Sequence, residues 1–211
     1  MWKTPAEMTT PADEKILAVL ERARTVGFLG PGPLRVHLEH ARCFEPALDE
    51  GVTRMIDLGS GGGLPGLPIF IDRTSLEGAL LDASARRCAF LTWAVFELGL
   101  RDRVEVIEGR AEELAHTDLR ASFDAAVCRG FGPPAITVEC AMPFVRRKGV
   151  VVISEPPERR PWPEAQLTTL GLTVSTKHRS VVTFTRTGEL DARLPRKAKL
   201  QQRDPLFRFS E

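Results

Sequence analysis

A short apolar run, Arg54-Met55-Ile56-Asp57-Leu58, passes directly into Gly59-Ser60-Gly61-Gly62-Gly63-Leu64-Pro65-Gly66, and no other feature restricts the fold of this chain as much. The run has the length of a buried strand. A glycine cluster at its carboxyl end is suited to a tight turn in which backbone approaches a ligand closely. From here on, short apolar runs alternate with helical patterns. Strands are predicted at 54–58, 79–82, 104–107, 123–128, 149–154, 172–177 and 180–186. Helices are predicted from about 65, and at 84–98, 111–115, 134–146 and 163–170. Such alternation implies an α/β fold, a mostly parallel sheet with helices on both faces. The last two runs are joined by a short polar link, which implies an antiparallel hairpin.

The flanks differ from this middle. Thr10-Pro11-Ala12-Asp13-Glu14 has the proline and acids of a helix start, and Ile16, Leu17, Val19 and Leu20 form a stripe behind it. Gly30-Pro31-Gly32-Pro33 interrupts, and a second helix is predicted over 34–49. Residues 1–50 are therefore expected to be a helical extension, 51–188 the α/β domain and 189–211 a basic polar tail.

With 211 residues, 43% hydrophobic and 27% charged, the composition excludes collagen-like, largely disordered and disulfide-scaffold classes. Met1-Trp2-Lys3-Thr4-Pro5 does not resemble a signal n-region. The uncharged stretch Leu58 to Ile71 is interrupted by glycines and prolines, and Cys88 to Phe96 is far short of the ~20 residues of a membrane helix. A cytoplasmic monomer is the expectation, with no membrane partner. Cys43, Cys88, Cys128 and Cys140 form no C-x-x-C pair, and His37 and His40 lack a third ligand, so free thiols and no metal are expected. The net charge of +1 conceals an asymmetry. Residues 1–145 hold 15 Lys+Arg against 21 Asp+Glu, and residues 146–211 hold 14 against 7. A basic last third is a hint of an anionic partner.

Two frames compete within the glycine loop. Gly61-x-Gly63-x-x-Gly66 matches the dinucleotide pattern, and Asp82 follows at the distance of a ribose-binding acid. That frame, however, starts two residues after the strand has ended. Counted from the strand, the pattern is Asp57-x-Gly59-x-Gly61-x-Gly63, which suits a methyltransferase: an acid facing the cationic end of a cofactor, and glycines against a ligand without phosphate. Asp82 would then accept from the ribose hydroxyls, and Gly109-Arg110-Ala111-Glu112-Glu113 would stand where an adenine lies. The fold implied is Rossmann-like, that of the class I S-adenosylmethionine-dependent methyltransferases, with N-terminal helices, a seven-stranded sheet and an antiparallel last strand. The plainer alternative is a tight turn with Asp82 as a helix cap.

Substrate residues in such folds follow strand four, here Cys128-Arg129-Gly130-Phe131-Gly132-Pro133-Pro134. This is not the Asp/Asn-Pro-Pro-aromatic box that holds an exocyclic amine. Cys128 lacks the activating partner that a nucleophilic thiolate needs. Arg129 is the candidate catalytic residue, over the cofactor or substrate pocket. The segment contains no general base. That suits an acceptor with no proton to lose, such as guanine N7.

The segment from Asp57 through Leu67-Pro68 resembles the signature of the bacterial small-subunit ribosomal RNA guanine-N7 methyltransferases, also called glucose-inhibited division protein B. Leu81-Asp82-Ala83-Ser84, Arg110-Ala111-Glu112-Glu113, Cys128-Arg129-Gly130-Phe131 and Leu194-Pro195-Arg196-Lys197-Ala198 are similar as well, so the resemblance spans roughly 35 to 206. It implies S-adenosylmethionine as cofactor and ribosomal RNA or the small ribosomal subunit as partner. Gly59 and Leu64 would line the methionine and adenosine side, Ala111 and Glu112 would bracket the adenine, and Arg129 would reach the cofactor or target. Asp57, Gly61, Gly63 and Asp82 complete the expected cofactor site. Arg146, Arg147, Lys148, Arg196, Lys197 and Lys199, together with Arg159, Arg160, Arg193 and Arg203, are the expected phosphate contacts. In two places the chain departs from the family. Ile153-Ser154-Glu155-Pro156-Pro157 stands where the family commonly has a lysine, and Glu39-His40-Ala41 where it has Asp-Ser-Leu. Glu155, as a carboxylate beside an RNA surface, favours an alternative: a divergent protein acting on a small molecule or as an accessory factor.

Overall fold

The computed structural model describes residues 10–158, 160–178 and 180–209. Arg159 and the segment 1–9 lie outside the described residues. The strands are β1 Arg54–Leu58, β2 Glu77–Asp82, β3 Val104–Glu108, β4 Phe123–Cys128, β5 Val145–Ser154, β6 Leu172–His178 and β7 Val181–Arg186. They form one seven-stranded sheet in the order β3-β2-β1-β4-β5-β7-β6. The first five are parallel, and β7 runs antiparallel to both β5 and β6. The strand order reverses between β1 and β4. In open α/β sheets the crevice at the carboxyl ends of the strands at such a switch point is where ligands bind.

The helices are α1 Pro11–Thr25, α2 Leu34–Arg42, α3 Gly66–Asp72, α4 Ala85–Glu97, α5 Ala111–Leu114, α6 Pro134–Ala141, α7 Glu164–Thr169 and α8 Ala198–Arg203. They cover the sheet in two layers, and strand alternation decides which side chains each layer receives. Met55, Leu80, Val127 and Val152 pack with Leu20 of α1, Leu38 of α2, Phe70 of α3 and Leu91 of α4. Ile56, Leu81, Ala126 and Val151 pack on the other face with Ala111, Val138 and Leu167. Full burial of each large apolar side chain contributes about 1.5–3 kcal/mol.

The N-terminal helices are attached to this core by polar contacts as well. Thr10 Oγ1 accepts from Asp13 N and the Asp13 carboxylate accepts from Thr10 N, both at 3.1 Å, closing a capping box. Arg42 then joins three helices, reaching Asp13 on α1 at 2.6 Å and Asp72 on α3 at 2.7 Å.

Three predicted spans change. The helix expected over 34–49 ends at Arg42 and is followed by a single 3-10 turn, Glu45–Ala47. Pro46 has no N–H to give and its ring would meet the carbonyl of Arg42. The helix expected to reach 146 ends at Ala141, because Pro143 cannot continue it, and β5 begins at Val145. The third change is at the C-terminus. The segment expected to be a polar tail folds back on the sheet, carries α8 and buries Leu194, Gln201 and Phe207.

Glu139 and Arg196 anchor this segment. The Glu139 carboxylate is fully buried and accepts from Arg196 N at 2.7 Å, Nε at 2.9 Å and Nη2 at 2.8 Å. Removing the cation leaves a buried charge without its partner. Arg196→Ala is therefore expected to lower unfolding free energy by about 3 kcal/mol in urea titration; a loss below about 1 kcal/mol would show the pair to be marginal.

Candidate functional site

The glycine loop adopts one of the two competing frames. Gly59, Gly61 and Gly63 have φ of +70°, +55° and +91°, in the left-handed region that favours glycine, and Gly62 between them does not. The alternation follows Asp57-x-Gly59-x-Gly61-x-Gly63. Gly66 serves a different purpose: a Cβ there would lie 2.5 Å from Leu80 and 2.7 Å from Asp57 Oδ2, so its smallness lets α3 approach the sheet.

The loop is laced to the neighbouring strand. Gly59 N and Ser60 N donate to Leu81 O at 2.8 and 3.0 Å, and Gly61 N donates to Asp82 Oδ2 at 3.0 Å. Ser84 N donates to Asp82 Oδ1 at 2.9 Å, and Gly109 N to the Asp82 carbonyl at 3.0 Å. Two cavities open above these contacts. The first, about 350 Å³, is lined by Gly59, Asp82, Ala111, Glu112, Phe131 and Ile136 among others, with Gln201 and Gln202 of α8 forming a further wall. The second, about 390 Å³, is lined by Gly61, Leu64, His37 and Arg129 and shares Gly59, Arg87 and Gly130 with the first.

Seven of the expected cofactor residues thus line one cavity or the other. Asp57 and Gly63 line neither. Alternation along β1 turns Asp57 away from the crevice and under α3, where it is fully buried and its Oδ2 accepts from Gly66 N at 3.0 Å. Gly63 turns the chain into α3, and its carbonyl accepts from Leu67 N at 2.9 Å. Arg129 is held by His37: Nη2 donates to His37 Nδ1 at 3.0 Å. Burial, with the Arg129 cation and His37 close by, holds the His40 ring below its ordinary pKa. Sequence reasoning did not find the His37 contact or the walls supplied by Phe131, Gln201 and Gln202. Only the pattern Arg129-Gly130-Phe131 pointed toward the first of these walls.

The expected phosphate contacts scatter. Arg146, Arg147 and Lys148 lie where β5 starts, at the amino edge of the sheet opposite the cavities, and Arg146 Nε pairs with Asp124 at 2.6 Å. Arg196 is committed to Glu139. Lys197 and Lys199 are exposed at α8, beside the first cavity. Arg193 pairs with Asp191 at 2.5 Å. Glu155 is not the uncompensated surface carboxylate that was expected. Its side chain is 4% exposed and pairs with Arg160 Nη1 at 2.7 Å, so both charges are neutralised together. Among the described residues no group of three His, Cys, Asp or Glu could hold a metal, and no helix is long and apolar enough to cross a membrane.

Desolvation raises the Asp57 carboxyl from its ordinary 3.8 to about 7, against the opposing pull of the Gly66 N–H. The folded chain therefore keeps a proton that the unfolded chain has released between pH about 4 and about 7, and stability falls as pH rises through that window. Asp57→Asn retains an acceptor for Gly66 N and is expected to flatten the chemical-denaturation profile across it. Parallel profiles for the two proteins would refute the assignment.

A family model described as rRNA small subunit methyltransferase G matches residues 35–182. A ribosomal RNA small subunit methyltransferase G from Sorangium cellulosum is 40% identical over 110 residues, covering 51% of this chain and 46% of that protein. The chain spans about half the length of the curated relatives it matches. Among solved structures, a methyltransferase from Geobacter sulfurreducens superposes with a TM-score of 0.57 at 15% identity, over 85% of this chain and 91% of that one. A SAM-dependent methyltransferase from Thiobacillus denitrificans in complex with S-adenosyl-L-homocysteine gives 0.50 at 21% identity, over 80% of this chain and 74% of that one. These likenesses show the fold, that of the class I S-adenosylmethionine-dependent methyltransferases. The family match covers well over half of the sequence and takes in the glycine loop, Asp82, Ala111, Glu112 and Arg129, so this chain belongs to the rRNA small subunit methyltransferase G family.

Proposed function

We propose that the protein transfers a methyl group from S-adenosylmethionine to N7 of a guanine in small-subunit ribosomal RNA. The observation that carries this reading is the pair of joined cavities at the switch point, the second of them lined by Arg129 and by no carboxylate. The first cavity fits the cofactor. At Gly59 a Cβ would meet Phe131 at 2.9 Å, so only bare backbone leaves room beside that ring. The Asp82 carboxylate, fixed by Gly61 N and Ser84 N, has lone pairs left for ribose hydroxyls. Ala111 and Ile136 give apolar walls for an adenine, and Glu112 a polar rim.

When bound, S-adenosylmethionine supplies a methyl group on a cationic sulfur, open to in-line attack. Guanine N7 carries a free lone pair, so the chain has no proton to remove from the attacking atom. Its task is placement and exclusion of water. Arg129, fixed by His37, lines the second cavity with guanidinium donors of the kind that can orient a guanine through its carbonyl oxygen. The base must leave its stack to enter the cavity, which suits a splayed, single-stranded target. The burial of Glu155 against Arg160 removes the feature that favoured a small-molecule substrate.

Borohydride reduction and aniline cleavage of ribosomal RNA treated with protein and cofactor should reveal one new N7-methylguanine; RNA left uncleaved at every guanine would refute the proposal. Gly59→Asp is expected to weaken S-adenosylhomocysteine binding about a hundredfold in calorimetry, because a side chain then occupies the cofactor's place. Arg129→Ala is expected to lower turnover about a hundredfold with little change in melting temperature. A matching collapse of stability would instead assign Arg129 to the core.

A further inference from the structure

Three arginines held by aromatic rings lie along the α1–α4 side of the molecule: Arg22 on α1, Arg86 on α4 and Arg101 in the turn beyond α4. Arg22 Cζ lies 4.3 Å from the Trp93 ring centroid, Arg86 Cζ 5.7 Å from Phe28, and Arg101 Cζ 5.3 Å from Phe96. Phe28, Phe90 and Trp93 form a chain of ring contacts with centroids 5.6 Å apart. The face is open: Phe96 is 57% exposed and Val26 39%. Several other arginines are ion-paired, Arg24 with Glu21, Arg42 with Asp13 and Asp72, Arg146 with Asp124 and Arg196 with Glu139, and a further arginine over a ring, Arg54 at 4.9 Å from Phe123, stands apart from this face at the start of β1. Among the described residues, no carboxylate lies within ion-pair distance of Arg22, Arg86 or Arg101, and the adjacent acids Glu97 and Asp102 pair with none of them.

This face is continuous with the site. Phe28 lines both the Arg129 cavity and a groove shared with Arg22, Arg86 and Trp93, and Trp93 lines the next groove, which reaches Phe96 and Arg101. We propose that the face from Arg129 along α4 to Arg101 is the track for single-stranded RNA flanking the target guanine, an inference that rests on the RNA reading above. Rings and flat guanidiniums accept stacked bases of any sequence, while cations without carboxylate partners attract the phosphates between them. This assigns substrate binding to the α1–α4 side of the molecule rather than to the arginines at the start of β5.

The test uses the full chain, a fluorescent guanine-containing single-stranded RNA oligonucleotide, and two variants at exposed positions: Arg22→Glu with Arg101→Glu, and Phe96→Ser. The double reversal is expected to weaken RNA binding about tenfold or more and to lower the salt slope by about two. Phe96→Ser should weaken binding without changing that slope. Affinity for S-adenosylhomocysteine and the melting temperature should remain as in the wild type. RNA affinity within about twofold of wild type in both variants, with ribosomal RNA still methylated, overturns the track and leaves the methyl-transfer reading standing. A wild-type protein that neither binds nor methylates RNA overturns both. A wild-type dimer that the variants convert to monomers at unchanged RNA affinity would make the face a self-association surface, and would overturn the track.

Discussion

Three strand tips are tied together through Asp82. Its carboxylate takes the Gly61 N–H from the loop after β1 and the Ser84 N–H at the start of α4, and its carbonyl takes the Gly109 N–H beyond β3. Hydrogen bonds to an ionised group contribute about 1.5–3 kcal/mol each. These also fix geometry: the floor of the first cavity and the start of α4 take their positions from the Asp82 side chain, and the turn carrying Ala111 and Glu112 from its carbonyl. A residue read from the sequence as a ligand contact is also the brace of the site that would hold the ligand.

The charge asymmetry of the chain takes on a different meaning in three dimensions. The acid-rich first part does not present an acidic surface in proportion to its count, because Asp13, Asp57, Asp82, Asp124 and Glu139 are all buried. Several of them bind backbone N–H groups, as Asp124 does with Thr53 and Arg54. The basic last third is likewise spent in part on the fold, through Arg146, Arg160 and Arg196. Net charge by region is thus a poor guide to where an anion is met, since a buried ion pair and an exposed cation count alike in sequence and act differently in space.

How far the sequence disclosed this arrangement depended on range. The strands β1 and β4 have the expected limits, and the left-handed glycines fall on the expected frame, because apolar runs and glycine spacing express local backbone preference. Asp82, Ala111 and Glu112 were legible because the first ends β2 and the others follow β3 by a short turn, where topology delivers them to the crevice. The direction of Asp57 was not, although period-two alternation from Met55 and Ile56 contained the signal. The His37–Arg129 contact, the Glu139–Arg196 pair and the packing of Trp93 on Arg22 join residues dozens of positions apart, and local pattern has no access to them.

The wall contributed by α8 has a consequence for how the molecule is made. Ribosomal synthesis proceeds from the N-terminus, and all seven strands precede Ala198. Strands β1 to β5, whose tips make the crevice, are synthesised well before Gln201 and Gln202, but the first cavity lacks one side until α8 docks and Arg196 reaches Glu139. The nascent chain therefore acquires its architecture before its enclosed pocket. Ligand retention depends on the docking of α8, a step that follows the forming of the strands it closes over.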